Sequence, residues 1–303
     1  MRHIIYLNIG NYFCSSPSKL ASPNMDVILN AADYYLFTPY VYPKSWPEDW
    51  WVRQTLSLFT MILVLAYIQY FLISTISFYT LFDRRLMKHK HFLPNQIRKE
   101  IAVTCKSIPS MGIMTTVLFV AEVRGHSLLY SNVNEYGWSY FIFTAFFFLF
   151  FTDMCIYFIH RGLHHPSIYK YLHKTHHLWI IPTPFASYAF HPLDGFLQSS
   201  PYHVFVFIFP MHKWLYLGAF MFVNFWTTSI HDANYKVPDL LKGVINCSAH
   251  HTDHHTLFNY NYGQFFTLWD KICGSHHFPT SFEGKGPIHQ LLKETDQKAK
   301  KSS

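Results

Sequence analysis

The run Trp138–Ile159 is almost wholly apolar and ends directly on His160. An α-helix needs about 20 such residues to cross a bilayer, so this stretch ties the chain to lipid before any other feature is considered. Four more apolar runs follow the same logic: Leu56–Leu81, Ile108–Val120 extended back to Val103, Phe196–Phe209 and Trp214–Ile230. The last two meet at Pro210 and read as a hairpin that enters the membrane and returns. Between the first two lies a loop carrying Arg84, Arg85, Lys88, Lys90, Arg98 and Lys99. Basic loops stay cytosolic, so alternation places His160 and everything from His231 onward on that side. The expected architecture is an all-α integral membrane protein with about four to five membrane-embedded helices and a cytosolic cap rich in histidine.

The chain divides by composition into three parts. Residues 1–53 are an N-terminal extension and an interfacial segment, the latter rich in Tyr, Pro and Trp from Asp33 to Trp51. Residues 54–287 hold the membrane-embedded domain, and residues 288–303 are a cytosolic tail. Residues 1–24 lack a signal-peptide pattern, because the apolar run Ile4–Ile9 is short and broken by Tyr6 and Asn8. Lys300 and Lys301 near the C-terminus resemble a dilysine retrieval signal of the endoplasmic reticulum. Charged residues make up 14% of the chain, against about 25% in soluble domains, and the basic residues flank apolar spans. This argues against nucleic-acid binding and for contact with anionic lipid or an acidic partner. Five scattered cysteines without a CxxC pair read as reduced and structural. Asn246-Cys-Ser248 matches a glycosylation acceptor by chance, on the wrong side of the membrane.

Histidine is concentrated in three boxes: HRGLH (160–164), HKTHH (173–177) and HTDHH (251–255). Helical positions i, i+3 and i+4 share one face. His160 with His164, His173 with His176 and His177, and His251 with His254 and His255 therefore each present a common face if the boxes are helical. Pro166 ends the first helix just after His165, which falls outside the set. His250 sits at the edge of its box. His231, at the end of the last span, is a further candidate ligand. Nine imidazoles exceed the three or four protein ligands that one zinc takes, so two metals are expected. Iron suits nitrogen ligands and activates dioxygen, although the residues alone leave zinc open.

Five residues read as supports for these ligands. Asp153 lies inside an apolar span, where a carboxylate is costly and faces the protein interior. It shares a helical stripe with Tyr157, His160 and His164, the geometry for orienting a ligand imidazole. His191 and Asp194, in AFHPLDG, are further supports, with Asp270 a weaker one. The segment Asn259–Asp270, NYNYGQFFTLWD, follows the third box and could line the site.

The three boxes resemble those of the fatty acid hydroxylase and sterol desaturase superfamily. TPYVYP (38–43), IPTPFAS (181–187), AFHPLDGFLQS (189–199), SIHD (229–232), NYGQFFTLWD (261–270) and SFEGKGP (281–287) are similar to its sterol 5-desaturase branch, from about Met25 to Pro287. One departure is Tyr188, where the pattern has histidine. The resemblance implies a di-iron, dioxygen-dependent enzyme of the endoplasmic reticulum, fed electrons by cytochrome b5 and its NADH-dependent reductase. It implies conversion of lathosterol or a related delta-7 sterol to the 5,7-diene, with the eight box histidines as catalytic and metal-binding residues. Sterol methyl oxidases and fatty acid hydroxylases share the boxes. A metal transporter would need ligands near the membrane midplane, and a membrane zinc hydrolase would need no oxygen.

Overall fold

The computed structural model describes residues 27–233 and 237–302. The extension 1–24, with Cys14, and the side chain of Lys301 lie outside the described residues. Among those residues the chain is helical: α1 (Val27–Ala32), α2 (Trp51–Thr80), α3 (Gln96–Ala121), α4 (Gly137–Leu163), α5 (Pro166–Leu172), α6 (Pro192–Ile208), α7 (Lys213–Ser229), α8 (Ser248–Leu257), α9 (Leu268–Ile272) and α10 (Pro287–Ser302). Three helices are long and apolar enough to cross a membrane: α2, α3 with its extension to His126, and α4. Helices α6 and α7, each of 17 residues, are about 26 Å long at 1.5 Å per residue and form the expected hairpin around Pro210. A two-residue parallel ladder, β1 (Leu129–Tyr130) with β2 (Met211–His212), ties that hairpin's turn to the α3–α4 connection.

The helices are inverted relative to those of a soluble bundle. Helix α2 exposes Val64, Leu65, Ile68, Leu72 and Ile76, and it buries Gln54, Ser57, Ser74 and Ser77. Helix α3 likewise buries Gln96, Glu100, Thr104 and Ser107. Lipid tails solvate the apolar face as well as a protein core does, so small and polar residues are left to make the helix–helix contacts. Apolar packing joins α4, α6 and α7 through Phe148, Tyr202, Phe205, Tyr216 and Val223. At the N-terminal end, Arg53 is buried and pairs with Asp33 at 2.8 Å. Beside it Tyr42 stacks on Trp46, and Trp50 meets Trp46 edge-on, an interfacial belt.

The buried polar faces of α2 and α3 serve the segment 181–190, which crosses the bundle without regular helix. Unpaired backbone carbonyls at that depth would be costly, so they must find donors. Tyr70 Oη donates to the Phe185 carbonyl (3.0 Å), Ser74 Oγ to Pro184 (3.1 Å), Gln96 Nε2 to Ile181 (2.8 Å) and Ser107 Oγ to Phe190 (2.5 Å). Glu100 accepts from the Thr183 hydroxyl. This segment joins the second histidine box to α6, so its anchoring fixes where both begin.

Gly195 on α6 permits the close approach of α3 and α6. A Cβ there would stand 2.1 Å from Phe190 Cε2 and 2.8 Å from Met111 Cε. At Gly218 on α7 nothing lies within 4 Å. Gly195→Ala should therefore destabilise the detergent-extracted protein by about 1–3 kcal/mol, the usual cost of overpacking. Gly218→Ala should leave the thermal unfolding midpoint unchanged or raise it, which a thermal-shift comparison of the two variants checks.

Candidate metal centre

Each box arrives on a different local structure. The first closes α4, with His160 in the last turn and His164 at the C-cap. His165 precedes Pro166, which opens α5, so the chain reverses where the proline forbids a continuous helix. The third box lies within α8. The second departs from the helical expectation: His173 caps α5, and His176 and His177 sit in a 3-10 turn. That break rotates His176 away from its neighbours, so the three residues do not act as one face.

Two ligand sets result. His160, His164, His173, His177 and His254 form one, and His176, His231, His251 and His255 form the other; within each, one ring nitrogen per residue lies within 4.8 Å of all the others. All nine imidazoles are buried except His164, which is half-buried. The sets adjoin, the rings of His177 and His255 being 4.9 Å apart between centroids. His250 belongs to neither; its Nδ1 lies 3.3 Å from the backbone N and from Sγ of Cys247. His165 is exposed, against Ser167 Oγ.

Tautomers can be assigned from the acceptors that surround the sets. His160 Nδ1 donates to the Tyr262 carbonyl (2.8 Å), His254 Nδ1 to the Tyr260 carbonyl (2.7 Å) and His231 Nδ1 to the Thr227 carbonyl (2.7 Å). His173 Nδ1 donates to Asp194 Oδ2 at 2.8 Å, both fully buried. A neutral ring that has spent its proton on Nδ1 carries a lone pair on Nε2. His160 Nε2 and His173 Nε2 nevertheless face each other at 3.1 Å, and His254 Nε2 is buried without a partner. Converging lone pairs of this kind repel, and a cation placed among them removes the repulsion. Burial, reinforced by neighbouring imidazoles, holds His176, His177, His251, His254 and His255 well below the usual histidine range. Burial alone takes His231 to about 4, and with the field of His173 it takes His164 to about 3. All are neutral at pH 7, the ligating form. All-imidazole donors in two sets, with a hydrogen-bonded outer partner on several, fit two transition-metal ions.

The supports differ from the expectation in three places. Asp153 touches no histidine. Its carboxylate accepts the backbone N–H of Gln264 (3.0 Å), Phe265 (2.6 Å) and Phe266 (3.2 Å), because the 260–266 loop fills the space beneath His160. Tyr157 also misses the imidazoles and is bonded to Ser275 and Arg161. His191 caps α6, its Nδ1 receiving the Leu193 N–H, and lies outside both sets. Tyr188, at the departure from the family pattern, donates to Asn224 Oδ1 instead of facing the sets. Asp270 accepts from the N–H of Tyr262 and of Gly263, each at 2.8 Å. Asp153 and Asp270 thus hold the loop whose carbonyls orient His160 and His254. Asn261, in the left-handed region at φ 58°, turns the chain between those two carbonyls, a conformation asparagine tolerates. Backbone acceptors leave no residue-type signal, so only the position of the NYNYG segment after the third box pointed to them. Asn246 is buried and donates to the Gly263 carbonyl, serving the same loop.

Two cavities adjoin the sets. One of about 160 Å³ is lined by His160, His176, His231 and His251. The other, about 470 Å³ and mostly apolar, lies among α2, α3 and α7. Their shared walls include Ile62, Ile108, Thr115, Tyr188, Phe220 and Asn224.

Comparison with known proteins agrees with this geometry. A family model described as fatty acid hydroxylase matches residues 145–275. The chain is 56% identical over 280 residues, 92% of its length and 93% of the relative's, to a lathosterol oxidase of Rattus norvegicus. It is 56% identical over 276 residues to the Homo sapiens lathosterol oxidase, 90% of this chain and 92% of the relative. It is 51% identical over 241 residues, 79% of this chain and 68% of the relative, to a delta(7)-sterol 5(6)-desaturase of Aspergillus fumigatus. No solved structure gives a significant match.

Asp194→Asn keeps the shape but weakens the acceptor on His173. Metal affinity, measured by chelator competition in membranes, should fall about 10–100-fold, as losses of such outer partners do. Unchanged metal retention would remove Asp194 from the support of the site.

Proposed function

This chain belongs to the lathosterol oxidase family of sterol desaturases, and on that premise we propose that it introduces the 5(6) double bond into a delta-7 sterol, converting lathosterol to 7-dehydrocholesterol. The observation that carries the reading is the meeting of two all-histidine sets with an apolar cavity inside the membrane-embedded bundle. A soluble substrate would need a path from water. A sterol partitions into lipid and reaches this cavity from within the membrane.

His160, His164, His173, His177 and His254 would hold one iron ion, and His176, His231, His251 and His255 the other. Bound there, the two ions supply activation of dioxygen and abstraction of hydrogen from an unactivated carbon. The chain's own residues do the positioning. Tyr262, Tyr260 and Asp194 lock three imidazoles with Nε2 inward, and the cavity's apolar walls keep water from the reacting carbons. The reaction removes one hydrogen each from carbons 5 and 6. With dioxygen, two electrons and two protons it yields the diene and two waters.

The electrons come from outside, since the sequence holds no nucleotide or flavin fingerprint. Cytochrome b5, with its NADH-dependent reductase, is the proposed donor. Between Asp153 and Asp194 the chain has no acidic residue, while Arg161, Lys170 and Lys174 are exposed beside the first set. Such a face attracts an acidic donor and does so less as salt rises. The proposed setting is the endoplasmic reticulum membrane, with the boxes and C-terminus cytosolic.

Membranes containing the protein, NADH, cytochrome b5 and its reductase should convert lathosterol to 7-dehydrocholesterol only when oxygen is present. His254→Ala should give no product above the anaerobic background. Sterol analysis by mass spectrometry reads both. A hydroxylated sterol as the main product, or unchanged conversion by His254→Ala, would overturn the assignment.

A further inference from the structure

The two cavities differ in size, and that difference fixes which end of a sterol reaches the histidines. At about 160 Å³ the inner cavity falls below the range of about 300–1,000 Å³ for a whole drug-sized ligand. The outer one, about 470 Å³, lies within it. The inner cavity therefore takes one end of the sterol, and the remaining rings and the branched tail occupy the outer cavity. Carbons 5 and 6 must lie beside the histidines. In a sterol, carbon 5 belongs to ring A, the ring that bears the 3-hydroxyl. Ring A with its hydroxyl, and the adjoining edge of ring B that carries carbon 6, fill the inner cavity, so the polar end goes in first. A hydroxyl taken from the membrane interface into this space needs a partner, since burying it unpaired costs about 1–3 kcal/mol on protein scales.

We infer that the Gln264 side-chain carbonyl accepts the proton of the sterol 3-hydroxyl and so selects free sterols; the inference rests on the sterol reading above. Gln264 lines the inner cavity together with His160, His176, His231 and His251. Its orientation is fixed from three sides. The backbone N–H donates to Asp153 Oδ1 (3.0 Å), and the backbone carbonyl accepts from Trp226 Nε1 (2.8 Å). Side-chain Nε2 donates to Thr227 Oγ1 (3.0 Å), whose own proton goes to the Val223 carbonyl (2.9 Å). Thr227 Oγ1 can therefore only accept from the amide, which leaves Oε1 as the free end. Among the described residues no group donates to that atom. Asn224 and Tyr188 are spent on each other and on the Phe220 carbonyl (2.7 Å), Gln198 is tied through Nε2 to Asp194 (2.7 Å), and Thr115 and Tyr202 present hydroxyls to the same cavity. A free hydroxyl can donate to Gln264; a 3-methyl ether or a 3-ketone cannot. A site built around an acceptor discriminates strongly against ligands without the matching donor.

The test compares lathosterol with its 3-methyl ether, by competition binding to membranes holding the full-length protein and by turnover. Wild type should bind the free sterol about 3–10-fold more tightly, the value of one neutral hydrogen bond. Gln264→Met keeps the side-chain length and removes the acceptor. It should lose that preference, mainly through KM, while keeping its metal content. Gln264→Asn, which withdraws the amide by one methylene, should lose it too and serves if the methionine variant loses metal. Gln198→Met should retain the preference, whatever its rate. Equal binding of sterol and ether by wild type would overturn the inference, as would an intact preference in the Gln264 variants or its loss in Gln198→Met alone. Binding is read separately from turnover, so a wild type that binds lathosterol selectively but forms no diene would count against the proposed reaction and not against Gln264.

Discussion

Nine imidazoles packed together inside a protein, with their ring nitrogens facing one another, are an unstable arrangement by themselves. Their Nε2 atoms face one another at 2.9–3.1 Å across the pairs His231–His251, His160–His173, His164–His177 and His251–His255. Where Nδ1 holds the proton, as in His160 and His173, the facing atoms carry lone pairs and repel. Solvent cannot screen that repulsion, because the rings are buried. Protonation does not relieve it at rings such as His176 and His251 either, where burial disfavours the charged form. The fold keeps the rings together with hydrogen bonds on their outer nitrogens and leaves the inner ones to a cation.

The outer hydrogen bonds come from parts of the chain far apart in sequence. Thr227 ends a membrane helix, Asp194 opens another, and Tyr260 and Tyr262 belong to a loop after the third box. The loop is held by two buried carboxylates that contact no ligand, Asp153 and Asp270. The carboxylate embedded in α4 thus acts on His160 at one remove, through the peptide it clamps. The segment 181–190 plays a comparable part on the other side. Its carbonyls are satisfied by hydroxyls and an amide from α2 and α3, and this fixes the chain between His177 and Asp194.

Much of this was legible in the sequence, and the illegible parts share a cause. Apolar runs are local signals, so the spans and the hairpin at Pro210 could be read directly, as could the turn imposed by Pro166. Box spacing singled out the histidines, and Asp194 reads as a weaker candidate support from its own segment. The partition into sets was not legible, because it depends on a chain reversal that ends α5 at His173 and puts His176 in a tighter turn. Asp153 was placed by helical periodicity on the stripe of His160, which is correct for its helix. The loop that intervenes arrives about a hundred residues later, and periodicity within one helix cannot report it. The carbonyls of Tyr260, Tyr262 and Thr227 are invisible for another reason: every residue has one.

The division of labour between membrane helices and cap has a consequence for how the protein is made. The spans are held by lipid and by their own polar seams, none of which involves the imidazole sets. The cap segments 173–177 and 248–257 bring their histidines against one another with the repulsion described above. If the cap closes on a metal ion, as in other domains whose ligands come together only on binding, the spans would insert and pack first. Maturation would then have two stages, with metal supply, not chain synthesis, setting the last. A cell short of metal would accumulate inserted chains whose helices are in place and whose caps stay open to proteases on one side of the membrane.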